Sequence, residues 1–458
     1  MQPLRPAAPD PAYADRIDRT LRHRWLVWGA AMTVFIVGYF HRIAPGAIAL
    51  DLMSAFHTTG ALLGLLSSIY FYVYAVMQIP SGILSDTLGP RRTITAGAIV
   101  MGGGAVLFGL SGNLAYCCLG RFFVGLGVSV FMVNIMRICV EWYRADEMAV
   151  MNGWTTALGA LGGLLATAPL AALSAAIGWR TGFVSIGIFS IFLGILCWVV
   201  VRDRPAECGL PALRRDSAPA AGPGFADACG PAFAAGGRPE ILKGIAAVLR
   251  NRRTWPPFTG FMTFYSTLMA FGGLWGVPYL THVYGISTQE AARYAMVVSV
   301  GLVVGCPVIG FMSDRLLKQR RLPYIACASM YAAVWGIICF SGGGRPGLAW
   351  MYPLCFAMGF FCAGFLLSIV VAKEVNPLGL SGIAMGNNNT SGFLGSAVLQ
   401  VVLGKILDMK WDGALTAGAR VYSQQAYRTA FLVCFGVSLL GLLASLCLTE
   451  TRCRDIGA

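Results

Sequence analysis

Residues 25–51 read WLVWGAAMTVFIVGYFHRIAPGAIALD, an apolar run broken near its far end by the pair His41-Arg42 and closed by Asp51. About 20 apolar residues cross the ~30 Å hydrocarbon core of a bilayer as a helix, so the run predicts a membrane span. Seventeen residues separate Trp25 from Arg42. At about 1.5 Å per residue the guanidinium lies roughly 25 Å along the helix, too deep to snorkel to the nearer surface. An arginine there costs at least ~2.5 kcal/mol, so it faces a protein interior or a watery cavity and marks a functional site. Since it cannot lose its proton, it calls for an anion.

Eleven further runs follow, at 60–85, 93–112, 115–142, 149–175, 180–201, 255–281, 289–312, 323–341, 347–372, 379–407 and 428–448. With 57% hydrophobic and 12% charged residues, the chain is no ordinary soluble protein. Spans this close together predict a helical bundle and exclude an open sheet, because every backbone polar group must be satisfied in lipid. The expected fold class is an all-α membrane protein of twelve transmembrane helices. The net charge of +14 is topology rather than a nucleic-acid footprint. With the N-terminus inside and twelve crossings, 24 of the 34 Lys and Arg fall on the cytoplasmic side and seven outside, leaving Arg42, Arg121 and Arg137 within spans.

Residues 1–24 carry charges and prolines and no apolar core of their own; they read as a cytoplasmic tail rather than a signal peptide. The fourteen cysteines contain no Cys-x-x-Cys and lie mostly in spans, as small apolar residues. No metal site or cofactor is expected. Residues 203–253, rich in Ala, Pro and Gly with basic residues including Arg214 and Arg215, read as a cytoplasmic linker in which residues 240–249 form a short interfacial helix. The expected domains are therefore the tail, a six-helix half at 25–202, the linker, a second six-helix half at 254–449 and a cytoplasmic tail at 450–458.

The halves echo each other. Gly82-Ile-Leu-Ser-Asp86-Thr-Leu-Gly89-Pro-Arg91-Arg92 closes the second span, and Gly310-Phe-Met-Ser-Asp314-Arg315 closes the eighth, 228 residues later. Gly159-x-x-Gly162 and Gly392-x-x-Gly395 form a second echo. On these motifs, with Arg121, Gly125 and Gly127 in the fourth span, the chain resembles the major facilitator superfamily over essentially its whole length. The resemblance implies two pseudo-symmetric six-helix halves and transport by alternating access. It also implies that Gly82, Asp86, Gly89, Arg91 and Arg92, with Gly310, Asp314 and Arg315, form a latch between the halves' inner helices that stabilises the outward-open state. On physical grounds alone, Asp86 can accept from a neighbouring helix N-terminus. The fifth span lacks the central proline of the drug-antiporter motif.

The candidate binding residues line the helices expected around the cavity. Arg42 is the anion site, following Tyr39-Phe40-His41 much as in organic-anion and phosphate-ester members of the superfamily. The pseudo-symmetric position, residue 270, is alanine, so a single arginine suits a monocarboxylate or zwitterion better than a phosphate. His41 is a candidate proton-responsive group. Arg121 and Arg137, 16 residues apart, differ by about 160° around one helix, so Arg121 is expected to face inward and Arg137 to pair with Glu141 or serve gating. Tyr70, Tyr74 and Gln78 make one polar stripe, Tyr265 and Trp275 mark the seventh span, and Asn388 and Asn389 belong to a polar run in the eleventh.

The sequence thus predicts a secondary active transporter for a small organic solute, anionic or carboxylate-bearing, working by proton symport. Its partners would be the solute, a coupling proton and the bilayer, with no nucleic acid and no second copy of the chain. The expected location is the inner membrane with both termini cytoplasmic. Efflux of amphipathic compounds by drug/proton antiport is the alternative, and a transporter-like sensor a further one. With no nucleophile–base or metal-ligand constellation in the loops, an enzyme is not expected.

Overall fold

The computed structural model describes residues 11–144, 147–211, 213 and 238–456. The expectations for residues 1–10 and for Arg214 and Arg215 fall outside them. Twelve helical segments follow in order: α1 (Pro11–Ala47), α2 (Gly60–Leu88), α3 (Pro90–Leu110), α4 (Leu114–Trp142), α5 (Val150–Ile177), α6 (Trp179–Val200), α7 (residues 255–284), α8 (Thr288–Leu317), α9 (Arg321–Gly343), α10 (Leu348–Glu374), α11 (Ser381–Met409) and α12 (Gln424–Leu446). The chain has the twelve-helix fold that its hydropathy predicts.

Among the described residues, eleven of these helices are long and apolar enough to cross a membrane. The other, α7, runs as α-helix over Trp255–Ala270, as a π-turn over Phe271–Trp275 and as α-helix again over Gly276–Tyr284. Its glycines, prolines, serines and threonines lower its hydropathy. The helix tolerates them because protein surrounds it: Phe261, Phe264, Leu268, Phe271, Trp275 and Leu280 are all buried. The opposite case is α6, whose Phe189, Phe192, Ile195 and Val199 are each more than half exposed, an apolar strip suited to lipid.

Side chains satisfy several helix starts: Thr59 accepts from the Leu62 amide, Asn113 from Tyr116, Ser287 from Glu290 and Ser423 from Ala426. Gly89, at φ +82°, makes the turn between α2 and α3 that the motif's glycine is there to allow. Part of the segment read as an N-terminal tail is helical. Residues 11–24 are the opening turns of α1, and Arg24 pairs with Glu147 at 2.7 Å while its guanidinium covers the Tyr143 ring. Burying Arg24 against Tyr143 and Glu147, in the connection between α4 and α5, extends the helix beyond its apolar run. In the linker region Arg238–Arg250 is helical and docks on the second half, with Val248 buried and Gly244 against Ile383.

The two halves meet along three seams: α2 on α11, α1 on the π-turn of α7, and α5 on α8. The α2–α11 seam is tightest near residues 60–64 and 400–408. A Cβ added to Gly64 would lie 2.5 Å from the Gln400 carbonyl oxygen.

Candidate functional site

Near the middle of the bundle the seams enclose Arg42. Its side chain is buried, with Nε donating to the Tyr70 hydroxyl at 3.3 Å and Nη1 to the Tyr265 hydroxyl at 2.9 Å. Four rings surround the guanidinium, with Tyr39 at 4.4 Å, Phe393 at 5.0 Å, Tyr74 at 5.2 Å and Tyr70 at 5.9 Å. Tyr74 and Phe393 stack at 4.2 Å. The cage draws on α1, α2, α7 and α11, so both halves contribute. Each cation–π contact is worth ~0.5–2 kcal/mol, which offsets part of the cost of burial. Beside Tyr39, between α1, α5, α7 and α8, lies a cavity of about 20 Å³, room for roughly one water.

A second guanidinium lies on the other side of Tyr70. Arg121 is 1% exposed, its carbon Cζ 5.1 Å from the Tyr70 ring, and Nη1 donates to the His41 carbonyl at 2.6 Å. Among the described residues its Nε and Nη2 have no partner, nor do the two ring nitrogens of His41. The His41 ring sits against Phe40 and Phe183. Among the described residues no carboxylate lies within ion-pair distance of Arg42 or Arg121. Two buried cations without counter-charges are costly unless something negative visits them.

The remaining candidates divide. Asn388 is fully buried, and among the described residues neither its amide nitrogen nor its oxygen has a partner; Asn389, one residue on, is half-buried. Gln78 is half-buried one turn below Tyr74. Trp275 is not part of the cage: it lies in the π-turn and donates to the Gln400 carbonyl at 3.3 Å, packing α7 on α11. Phe393, which closes the cage, carries no sequence signal of its own beyond its place between Gly392 and Gly395.

The charged motifs serve within each half. Asp86 pairs with Arg137 of α4, while Glu141 turns to Arg204 at 3.7 Å. The expected Arg137–Glu141 pair is thus replaced, because Asp86 brings a carboxylate of the neighbouring helix to the same arginine. Nor is Asp86 the acceptor for the next helix. Asp203 takes the Arg91 amide at 2.6 Å and lies beside Gly89, and Arg91 donates to the Trp198 carbonyl at 2.8 Å. Arg92 is exposed, and Gly82 lies within α2. In the second half Arg320 bridges Asp314 and Glu374, with Gly310 and Arg315 on the same turn-bearing segment. In this structure the motif charges therefore bind α2 to α4, α3 to α6, and α8 to α9 and α10, rather than one half to the other.

The chain belongs to the major facilitator superfamily, whose sequence model matches residues 30–399. It is 28% identical over 439 residues to the membrane sensor protein UhpC of Salmonella typhimurium, covering 90% of this chain and 92% of that one. It is 26% identical over 370 residues to a probable hexose phosphate transport protein of Chlamydia muridarum, covering 78% and 79%. Among solved structures it resembles an inward-facing, unoccupied bacterial homologue of the human lysosomal transporter Spinster, with a TM-score of 0.70 at 17% identity over 93% of this chain and 97% of that one.

Proposed function

We propose, from this membership of the major facilitator superfamily, that the chain carries a small organic anion, carboxylate-bearing, across the inner membrane by alternating access with proton symport. The observation that carries the reading is the pair of buried guanidiniums, Arg42 and Arg121, with no carboxylate at ion-pair distance among the described residues. The solute's negative group displaces the tyrosine hydroxyls from Arg42 when the cage opens, and its polar body meets Asn388, Asn389 and Gln78. Hydrogen bonds to a charged group are worth ~1.5–3 kcal/mol each, enough for the anion to compete with neutral phenols. A named hexose phosphate relative is compatible with an anionic cargo. In this reading 25–202 and 254–449 are the two moving halves, 203–253 is a cytoplasmic linker, both termini are cytoplasmic, and the carrier acts as a monomer.

The test is a thermal-shift screen of the purified protein with sugar acids, sulfonates, amino acids and sugar phosphates, and with neutral sugars and lipophilic cations as controls. A ligand at 100 times its Kd stabilises by ~2.7 kcal/mol. Carboxylate hits that vanish in Arg42→Ala, each measured against its own ligand-free protein, support the reading; cation hits indifferent to the substitution sink it. A second reading, a sensor that binds without carrying, is favoured by the similarity to UhpC. Uptake of a hit into proteoliposomes separates the two.

A further inference from the structure

One carboxylate joins the two halves. Asp408, in the last turn of α11, accepts from the backbone amides of Gly60 and Ala61 at 2.8 Å each, the first two residues of α2 in the other half. Tyr422 donates its hydroxyl to the same carboxylate at 2.7 Å, and Arg420 donates at 3.2 Å from the hairpin formed by Leu415–Thr416 and Ala419–Arg420. A helix start leaves its first amides without partners in the helix. Here Thr59 takes the Leu62 amide locally, and a residue almost 350 positions away takes two of the others.

The close approach that this requires is built in glycine. At Gly60 a Cβ would lie 2.7 Å from the Tyr422 hydroxyl and 2.9 Å from the Gly404 carbonyl oxygen. The connection after α1 closes over the same place: His57 Nδ1 lies 3.4 Å from the Gly418 carbonyl oxygen, and Ala49–Phe56 packs on the hairpin. By contrast, Asp86, Asp203, Asp314 and Glu374 at the opposite end all bond within their own half.

We propose that Asp408 is a latch between the halves: its carboxylate caps α2 across the seam, holds this end of the bundle shut, and must let go for the alternate state to form. Arg420 and Tyr422 are positioning residues that aim it. A negative group at a helix N-terminus is held both by the amides and by the helix dipole, whereas an amide in its place keeps the shape and loses the charge. The inference rests on the alternating-access reading, but its readout needs no solute, so the two fail separately.

The experiment is a double electron–electron resonance measurement on full-length protein in nanodiscs, with the accessible cysteines replaced by serine. Spin labels go at Gly112 and Gly347, exposed positions at this end of the first and second halves where a Cβ meets no close contact. In Asp408→Asn the ratio of long to short distances is expected to rise at least tenfold, with the helical content and melting transition of a folded protein. An unchanged distribution overturns the latch. Should Asp408→Asn not accumulate folded, Tyr422→Phe removes a single donor: a smaller shift in the same direction supports the latch, and no shift overturns it.

Discussion

The two ends of the bundle use polar groups in opposite ways. At the end bearing residues 57–64 and 400–422, hydrogen bonds and backbone contacts run from one half to the other, through Asp408, Gly60, Gly64 and Gly404. At the end bearing 86–91 and 314–321, the polar contacts stay inside each half: Asp86 pairs with Arg137, the Arg91 backbone amide donates to Asp203, and Arg320 pairs with both Asp314 and Glu374. Bonds within a half make it rigid without regard to the other half. Bonds across the seam choose which end is closed. A carrier built from two rocking bodies needs both kinds, and here they are segregated by end.

That segregation can be broken most forcefully at the seam. Gly64→Leu would place a side chain where even a Cβ comes within 2.5 Å of the Gln400 carbonyl oxygen. The backbone cannot yield by that much, so the halves must part. The Gly112–Gly347 distance is expected to become almost wholly long, with proteoliposome uptake of any transported solute lost and helical content retained. A distance distribution like that of the parent would mean that the seam is not what holds this end closed. The next effect in size belongs to the other end. Glu374 is buried with Arg320 at 2.9 Å and also accepts from Thr451 of the C-terminal segment. Glu374→Ala leaves the guanidinium with Asp314 and the Ser313 hydroxyl, and removing one member of a buried pair costs ~3–5 kcal/mol. The expected outcome is a melting temperature lower by several degrees with the Gly112–Gly347 distance unchanged. A changed distance would show that charges at this end also set the state of the far one.

Much of this arrangement was legible in the sequence, for reasons that differ by residue. Long apolar runs gave the spans because lipid admits few alternatives to a helix. Helical geometry says only that Arg121 and Arg137 cannot both face one cavity; Arg121 is the one expected to face inward, and the structure has it 1% exposed. The echo between Gly82–Asp86 and Gly310–Asp314 pointed to two halves. What the sequence hid was pairing between distant residues. A local i,i+4 partner, Glu141, was the visible choice for Arg137, but Asp86, 51 residues away, reaches it across the α2–α4 contact. Nothing in the sequence around Asp408 marks it as a cap; only the approach of α2 makes it one. Phe393 was one aromatic among many until Tyr74 and Arg42 were seen on either side of it. The start of α1 at Pro11 escaped because charged, prolinated residues gave no apolar period, while Arg24, Glu147 and Tyr143 stabilise those turns from outside.

The smallest effect is the sharpest test of how the ends divide their work. The Asp86–Arg137 pair is partly open to solvent, with the two side chains 46% and 24% exposed, so screening leaves it worth ~1 kcal/mol or less. If Asp86 serves only to tie α2 to α4, Asp86→Asn lowers stability by no more than that, and labels at Arg92 and Leu316, exposed positions of opposite halves at this end, report the parent's distances. If instead Asp86 is poised to cross to the other half in the outward-open state, as the family resemblance implies, the ligand-free distribution still matches the parent's, because here the carboxylate is held within its own half. The separation appears only when the far end is forced open. Combined with Gly64→Leu, Asp86→Asn then broadens the Arg92–Leu316 distances relative to Gly64→Leu alone, since the closed inner end has lost its latch. Additive behaviour, with no extra broadening, would confine Asp86 to its own half in both states and leave the cross-half role to Asp408.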